Sequence, residues 1–126
     1  MDIDGSELLA LVGYFEDAKR EVAEKTHSLT KQHAQELRDE WRENAKLTAR
    51  RHGQHYPKAI TAEQIPRADM IEWEVGPETR RKQGDMGPGF EYGSRNQPPH
   101  LDGARAAIKR EPLFLKGLDD IVRGLL

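Results

Sequence analysis

A long proline-free stretch in the first half of the chain constrains the fold most. Residues 5–52 contain no proline, while apolar or small side chains recur every three or four positions. These side chains are Leu8, Val12, Phe15, Val22, Leu29, Leu37, Trp41, Ala45 and Thr48. Such spacing places one apolar stripe along a long helix. Ser and Thr at residues 26–30 compete for backbone hydrogen bonds, so we expect a kink or a break there. We expect the helix to end at His52 and Gly53, shortly before Pro57.

The middle of the chain has the composition of strands. Residues 59–62 form one candidate strand, and residues 70–75 form a second in which apolar residues alternate with two glutamates. This alternation buries one face and leaves the other in water. Pro66 and Asp69 between them suit a hairpin turn. We predict a short third strand at Phe90-Glu91-Tyr92, after a polar, glycine-rich and mobile loop at residues 78–89.

The last part of the chain is predicted to be helical. Pro98 and Pro99 open this segment, Pro112 is expected to interrupt it, and Leu113 to Leu126 resume the apolar pattern. The element order predicts an α+β fold with a long N-terminal helix, a small antiparallel sheet of about three strands and a C-terminal helical segment. We expect a single domain over residues 1–126, divided into a helical arm (1–52), strands with the glycine-rich loop (53–95) and the C-terminal segment (96–126).

Composition narrows the classes of function. Of 126 residues, 36% are hydrophobic and 33% charged, which predicts a modest core completed against neighbouring subunits. The 20 basic and 22 acidic residues provide no strong basic excess, so nucleic acid is not the expected direct ligand. The lack of cysteine excludes disulfides, thiolate nucleophiles and zinc sites of the Cys type.

The first residues also bear on location. The chain starts with an acidic segment, and its first apolar stretch is broken by Glu16 and Asp17. These features are unlike a signal peptide or a membrane span. We therefore expect a protein made in the cytoplasm, without a membrane partner.

Few residues suggest catalysis or cofactor binding. His52 and His55 have a spacing that could bind a metal, but no nearby Asp or Glu completes the site, so a helix-end pair is favoured. Glu72, Glu74 and Glu78 form a carboxylate run that fits a solvated strand face better than acid–base chemistry. Residues 84–89, Gly-Asp-Met-Gly-Pro-Gly, lack the Lys-Ser/Thr ending of a phosphate loop. We expect no enzyme activity, no cofactor and no metal.

Two further charged features each allow two interpretations. Arg80-Arg81-Lys82 either contacts DNA or an acidic partner, or keeps a loop solvated, and the second interpretation is favoured. Glu91 stands between two aromatic residues and could pair with an arginine of its own or a neighbouring subunit.

The order of short motifs over residues 76–107 carries a family resemblance. A Gly-Pro strand end precedes a glycine-rich loop, then Glu-Tyr-Gly-Ser, then Pro-Pro-His and a helix with small residues. Upstream, residues 55–61 read His-Tyr-Pro-Lys-Ala-Ile-Thr. Together these motifs resemble the siphophage tail-component (tail-completion) family of the Hong Kong 97 type. The chain departs from that family at Leu101-Asp102-Gly103, where many relatives have Pro-Phe-Leu.

The resemblance implies a structural protein of the phage head–tail connector, or neck, that completes the tail and helps join it to the capsid. It implies a virion location, a homo-oligomeric ring (a hexamer is one expected size), and adjacent neck and tail-tube proteins as partners. DNA in the lumen would at most be a non-specific neighbour. The motif residues are expected to contribute to subunit interfaces, and they are Gly76, Pro77, Gly89, Phe90, Glu91, Tyr92, Gly93, Ser94, Pro98, Pro99 and His100. Among them, Gly93 is expected to allow a sharp turn.

Three alternatives remain open from the sequence. The first is a tail-terminator ring protein. The second is a helical adaptor outside any phage that uses the N-terminal helix as a groove ligand. The third is a metal-dependent hydrolase using His52, His55 and a carboxylate.

Overall fold

The computed structural model describes residues 5–125, and its mixed helix and sheet content confirms the predicted α+β class. The elements in chain order are α1 (Gly5–Ala49), α2 (Tyr56–Ala59), β1 (Ile60–Ile65), β2 (Glu72–Pro77), a 3₁₀ turn (Gly84–Met86), α3 (Gly87–Tyr92) and α4 (Asp102–Arg123). Residues 1–4 and Leu126, which the predicted domain limits include, lie outside the described part.

The predicted break in the first helix is wrong. α1 runs without interruption from Gly5 to Ala49. The Thr30 hydroxyl donates to the carbonyl oxygen of Thr26 at 2.7 Å, so it bonds within the helix and leaves the backbone pattern intact. The helix also ends earlier than predicted, before His52 and Gly53.

The predicted hairpin is confirmed, with shifted limits. β1 and β2 pair antiparallel in a two-stranded sheet, from Ile60 opposite Pro77 to Ile65 opposite Glu72. The sheet packs on α1, where Arg42 Nε donates to the Ile60 carbonyl at 2.7 Å. Glu74 is exposed while Trp73 and Val75 are half-buried, as alternation predicts.

The predicted third strand is wrong, because Phe90, Glu91 and Tyr92 belong to helix α3. Pro88 lies in the first turn of α3, where its fixed φ favours a helix. Backbone N–H groups in the first turn have no acceptor within the helix, so the missing N–H of proline costs no helical hydrogen bond. The aromatic–acidic–aromatic pattern of these three residues therefore belongs to a helix, because three residues are too few to distinguish helical from strand periodicity.

The predicted interruption at Pro112 is also wrong, since α4 continues from Asp102 to Arg123. Pro112 removes the amide that would bond the Ile108 carbonyl. Because Pro112 is exposed, water can reach that carbonyl and the helix persists. α4 starts after Leu101, whose φ of 53° is left-handed, and not at Pro98 and Pro99.

α4 packs along the C-terminal half of α1. Trp41 lies against Gly103, where an added Cβ would come within 2.6 Å of the indole ring. His33 stacks on Phe114 with ring centroids 4.5 Å apart. Lys109 Nζ and Glu40 Oε1 form an ion pair at 2.7 Å across the same seam. These contacts fix the two long helices side by side.

The core is small. In the described residues, the buried hydrophobic side chains are Ala34, Ala45, Ala49, Ala59, Ala106, Tyr56, Ile60 and Phe90. Only the last three are large, so the apolar area removed from water is limited. Burial raises the pKa of Tyr56 to about 12, which keeps its phenol neutral inside this core.

No helix within residues 5–125 is long and apolar enough to cross a membrane.

Candidate functional site

The motif residues from Gly89 to His100 lie where α3 joins the start of α4, whereas Gly76 and Pro77 end β2. Phe90 is buried, with its ring centroid 4.7 Å from that of Tyr56 and 5.7 Å from that of His100. The amides of His100 and Leu101 donate to the carbonyls of Phe90 and Glu91 at 2.8 and 3.1 Å. The end of α3 is thereby tied to the segment that leads into α4.

Glu91 caps the N-terminus of α4. Its carboxylate is buried and accepts hydrogen bonds from the backbone amides of Gly103 (2.9 Å) and Ala104 (3.1 Å). The first amides of a helix have no intrahelical partner, and a negative charge is favoured there. Within the described chain the Glu91 oxygens bond backbone amides, so the predicted pairing with an arginine of its own chain is wrong.

Asp102 is the second buried carboxylate of this region, and it joins α4 to α1. Thr48 Oγ1 lies 2.9 Å from both carboxylate oxygens. Arg105 Nη2 lies 3.0 Å from Oδ1, and Asn44 Nδ2 donates to the Asp102 carbonyl at 3.0 Å. His100 Nδ1 is farther away, at 4.0 Å from Oδ2. With their oxygens occupied by these donors, Glu91 and Asp102 act as fixed joints between elements.

Gly93 makes the turn that its sequence position predicts. Its φ is 87°, and a Cβ there would come within 2.9 Å of Pro99 N. Ser94 and Gln97 then exchange backbone hydrogen bonds of 2.8 and 3.2 Å. A residue with a side chain would be strained at this φ and would also collide with Pro99.

The motif residues therefore fall into three groups by burial. Phe90 and Glu91 are buried, while Gly76, Pro77, Gly89, Gly93 and His100 are partly buried. The exposed motif residues are Tyr92, at 75% exposure, together with Ser94, Pro98 and Pro99. The first two groups build the fold of the monomer, and the exposed group remains accessible to other molecules.

The glycine-rich segment is packed more closely than its composition predicts. Gly84 and Gly87 are buried, and a Cβ at Gly84 would overlap the Glu78 carbonyl. The prediction of a loop over the whole of residues 78–89 is wrong, because a 3₁₀ turn covers Gly84–Met86 and α3 begins at Gly87. The glycines here allow close backbone approach.

The basic run next to Glu78 is partly paired. The Glu78 carboxylate lies 2.8 Å from Arg81 Nε and 3.4 Å from Arg80 Nη2. The hydrogen bond from Arg81 holds the pKa of Glu78 below its usual range. Lys82 is exposed as well, so all three basic side chains face solvent, which fits both interpretations of this run.

The two histidines of the metal hypothesis lie in turns after α1, not on its last helical turn. Gln83 holds their backbones: its Oε1 accepts from the His55 amide at 2.8 Å, and its Nε2 donates to the His52 carbonyl at 3.0 Å. Within residues 5–125 no group of three or more His, Asp or Glu side chains could hold a metal ion.

The first part of α1 carries a dense group of exposed large apolar side chains. We name residues 5–21 the distal segment. Its large apolar residues are exposed by 41% to 74%, and they are Leu8, Leu9, Leu11, Val12, Tyr14 and Phe15. The sequence stripe indicated an apolar face here, but Leu9 and Tyr14 extend the apolar surface around the helix.

The comparisons with known proteins found no relative: no family model, no curated protein and no solved structure matches the chain.

Proposed function

We propose that this chain is a structural subunit of the head–tail junction of a tailed bacteriophage, where it completes the tail and helps join it to the capsid. The proposal combines the ordered motifs of residues 76–107 with one observation, the exposed apolar distal segment of α1. In this role, several copies of the chain assemble into a ring with closed cyclic symmetry.

The distal segment supports assembly because a soluble monomer rarely exposes so many large apolar side chains together. They occupy consecutive helical turns, with Leu9 exposed by 74% and Phe15 by 60%. Burying these side chains against another subunit would release the unfavourable contact with water.

The small core supports the same conclusion. Five of the eight buried hydrophobic residues in residues 5–125 are alanines, so the monomer gains little from burying large side chains. A chain with this core gains stability when it binds neighbouring copies in the folded state.

Deletion of the gene from the phage or prophage genome that encodes it tests this proposal. We expect filled heads and separate tails that do not form infectious particles, as seen by electron microscopy and plaque counts. Normal virions from the deletion would overturn the proposal.

Complementation makes the test specific for the distal segment. A plasmid copy carrying Leu8→Ser and Phe15→Ser is expected to give at least about tenfold fewer plaques than the wild-type copy. The reason is that the proposed assembly would lose two apolar contacts between subunits, each worth about 1–3 kcal/mol. Leu47→Ser is the control, since Leu47 is 75% exposed on the same helix outside the distal segment. It is expected to restore plaques fully.

A helical adaptor is the second candidate, because an exposed apolar helix also fits a groove of an unrelated protein. It predicts a defined heterodimer and purified virions without this chain. Quantitative mass spectrometry of purified particles separates the two functions.

A further inference from the structure

An apolar groove lies between the middle of α1, the start of β2 and α4. It has a volume of about 640 Å³, and its apolar walls are formed by Leu37, Met70, Ile71, Trp73, Phe114 and Leu118. Met70, at its mouth, is 55% exposed. The groove is thus a concave apolar surface on the same chain that carries the convex apolar distal segment.

The distal segment cannot enter the groove of its own chain. Thr26, Thr30 and His33 of α1 line the groove, and α1 is unbroken from Gly5 to Ala49. At 1.5 Å per residue, Leu8 lies about 27 Å along the helix axis from Thr26. While α1 remains a helix, a distal segment that occupies this groove must therefore come from another copy of the chain.

The apolar stripe of the distal segment continues directly into the groove wall. Leu8 and Phe15 are seven residues apart, as are Val12, Lys19, Thr26 and His33 in series. Residues at this spacing lie on nearly one face of a helix, which drifts by about 20° per heptad and hence by about 60° from Val12 to His33. The face that packs against α4 and the sheet inside the chain therefore overlaps with the face that remains uncovered in the distal segment.

The charges of the distal segment and of the groove are also complementary. Lys19 lies on the apolar stripe, between Phe15 and Val22, so any surface that covers the stripe must accept a cation. The groove has Asp69 at its edge. Neither Lys19 nor Asp69 forms an ion pair with another residue in the described part of the chain. A pair between them would satisfy both charges at the rim.

The stripe face of the distal segment supplies a substantial part of the area of a stable contact. Its large apolar side chains, Leu8, Leu11, Val12 and Phe15, together expose on the order of 400 Å², about half of the roughly 800 Å² that each partner buries in a stable interface. Flanking polar side chains would supply the remainder as a rim.

We infer that the partner of the groove is a second copy of this chain, whose distal segment packs into it with Lys19 facing Asp69. This inference rests on the proposed function for its biological setting and deepens it by naming the two surfaces that join neighbouring subunits. The pairing is either mutual between two copies or repeated around a ring.

Cysteine cross-linking tests the pairing cleanly because the wild-type chain has no cysteine. The full-length double variant Val12→Cys/Met70→Cys is treated with a short bis-maleimide and separated on a denaturing gel. Both positions are exposed, by 49% and 55%, so the variant is expected to keep its helical circular-dichroism spectrum. We expect covalent dimers and higher species as the main product.

The matched control is Val12→Cys/Ile108→Cys, since Ile108 is 72% exposed but lies on the outer face of α4. We expect at least about fivefold less cross-linked product, with only background from each single variant. Equal product from the Ile108 control, product from Val12→Cys alone, or a monomer in every sample would each overturn the groove as the binding surface. The gene deletion is independent of these results, so the proposed function and this inference can fail separately.

Charge reversal provides a second readout. Lys19→Glu and Asp69→Lys are each expected to weaken self-association by about fivefold in sedimentation equilibrium, as an exposed ion pair is worth up to roughly 1 kcal/mol. The double variant is expected to regain most of the affinity. Additive loss in the double variant would contradict the pairing of these two residues.

Discussion

Glu91 and Asp102 show how single residues hold the fold together. Each is a buried carboxylate, and each links elements that are distant in sequence: Glu91 bonds the start of α4 from α3, and Asp102 bonds Thr48 of α1. Buried charges are tolerated where hydrogen bonds replace their water. The orientation of α4 therefore depends on two side chains.

Replacing Glu91 tests the first of these links. Glu91→Ala leaves two amides of α4 without their acceptor inside the protein, and we expect a loss of about 1–3 kcal/mol in the free energy of unfolding. Glu91→Gln keeps one acceptor oxygen and should lose less. Urea denaturation measures both variants, and an unchanged midpoint for Glu91→Ala would show that Glu91 does not stabilise α4.

His33 makes stability depend on pH. Burial is the main reason that its pKa is lowered, and Arg110 lowers it further while Glu36 and Glu111 oppose the shift. Its folded pKa lies below the unfolded value, so the unfolded chain binds more protons between the two values. The contribution of neutral His33 to the free energy of unfolding is therefore fully present above about pH 6.5, the unfolded pKa, and is lost as the pH drops through the lower, folded pKa.

The expected signature is a slope in the free energy of unfolding between pH 7 and 5 that is smaller in His33→Gln. The variant loses the ring contact with Phe114, so its stability is lower throughout. The comparison therefore uses the slope and not the absolute value. The same slope in both proteins would assign the pH dependence to other groups.

At the scale of elements, the long helices were predictable and the short ones were not. The stripe from Leu8 to Thr48 marks α1 because many turns repeat one pattern. α3 has only six residues, too few for such a repeat, and its helical state depends on Pro88 and on bonds from His100 and Leu101. The cap of α4 by Glu91 was not predicted because it joins residues 12 and 13 positions apart.

Pro112 provides the prediction at this scale. Pro112→Ala restores an amide within α4 and removes a clash with the preceding turn, so we expect the free energy of unfolding to rise by up to about 3 kcal/mol. Pro66→Ala is the control, because Pro66 lies in the exposed β1–β2 connection and not in a helix. Loss of this proline increases the conformational entropy of the unfolded chain, so the free energy of unfolding is expected not to rise. Thermal denaturation compares the two, and no gain in Pro112→Ala would mean that the helix is already relaxed around the proline.

For the whole molecule, the sequence predicted the balance between core and surface but not where the unburied apolar area lies. The low hydrophobic content indicated a core completed by neighbours, and the buried residues of the described chain are mainly alanines. The groove was missed because α1, β2 and α4 form it only after packing. Sequence periodicity reports one element at a time and carries no information on such a junction.

The motif residues from Phe90 to Ala104 build the joint between α3 and α4, and that role would serve any function of the molecule. Assignment to the phage head–tail junction therefore depends on the order of these motifs together with the exposed distal segment. Under the proposed function, assembly is the central property of the chain.

Cryo-electron microscopy of the neck of particles produced by the encoding genome tests this central claim most directly. The account predicts a closed ring of this chain between the capsid and the tail tube, with the distal segment of each copy in contact with a neighbour. A neck in which all protein density is explained by other chains would contradict it.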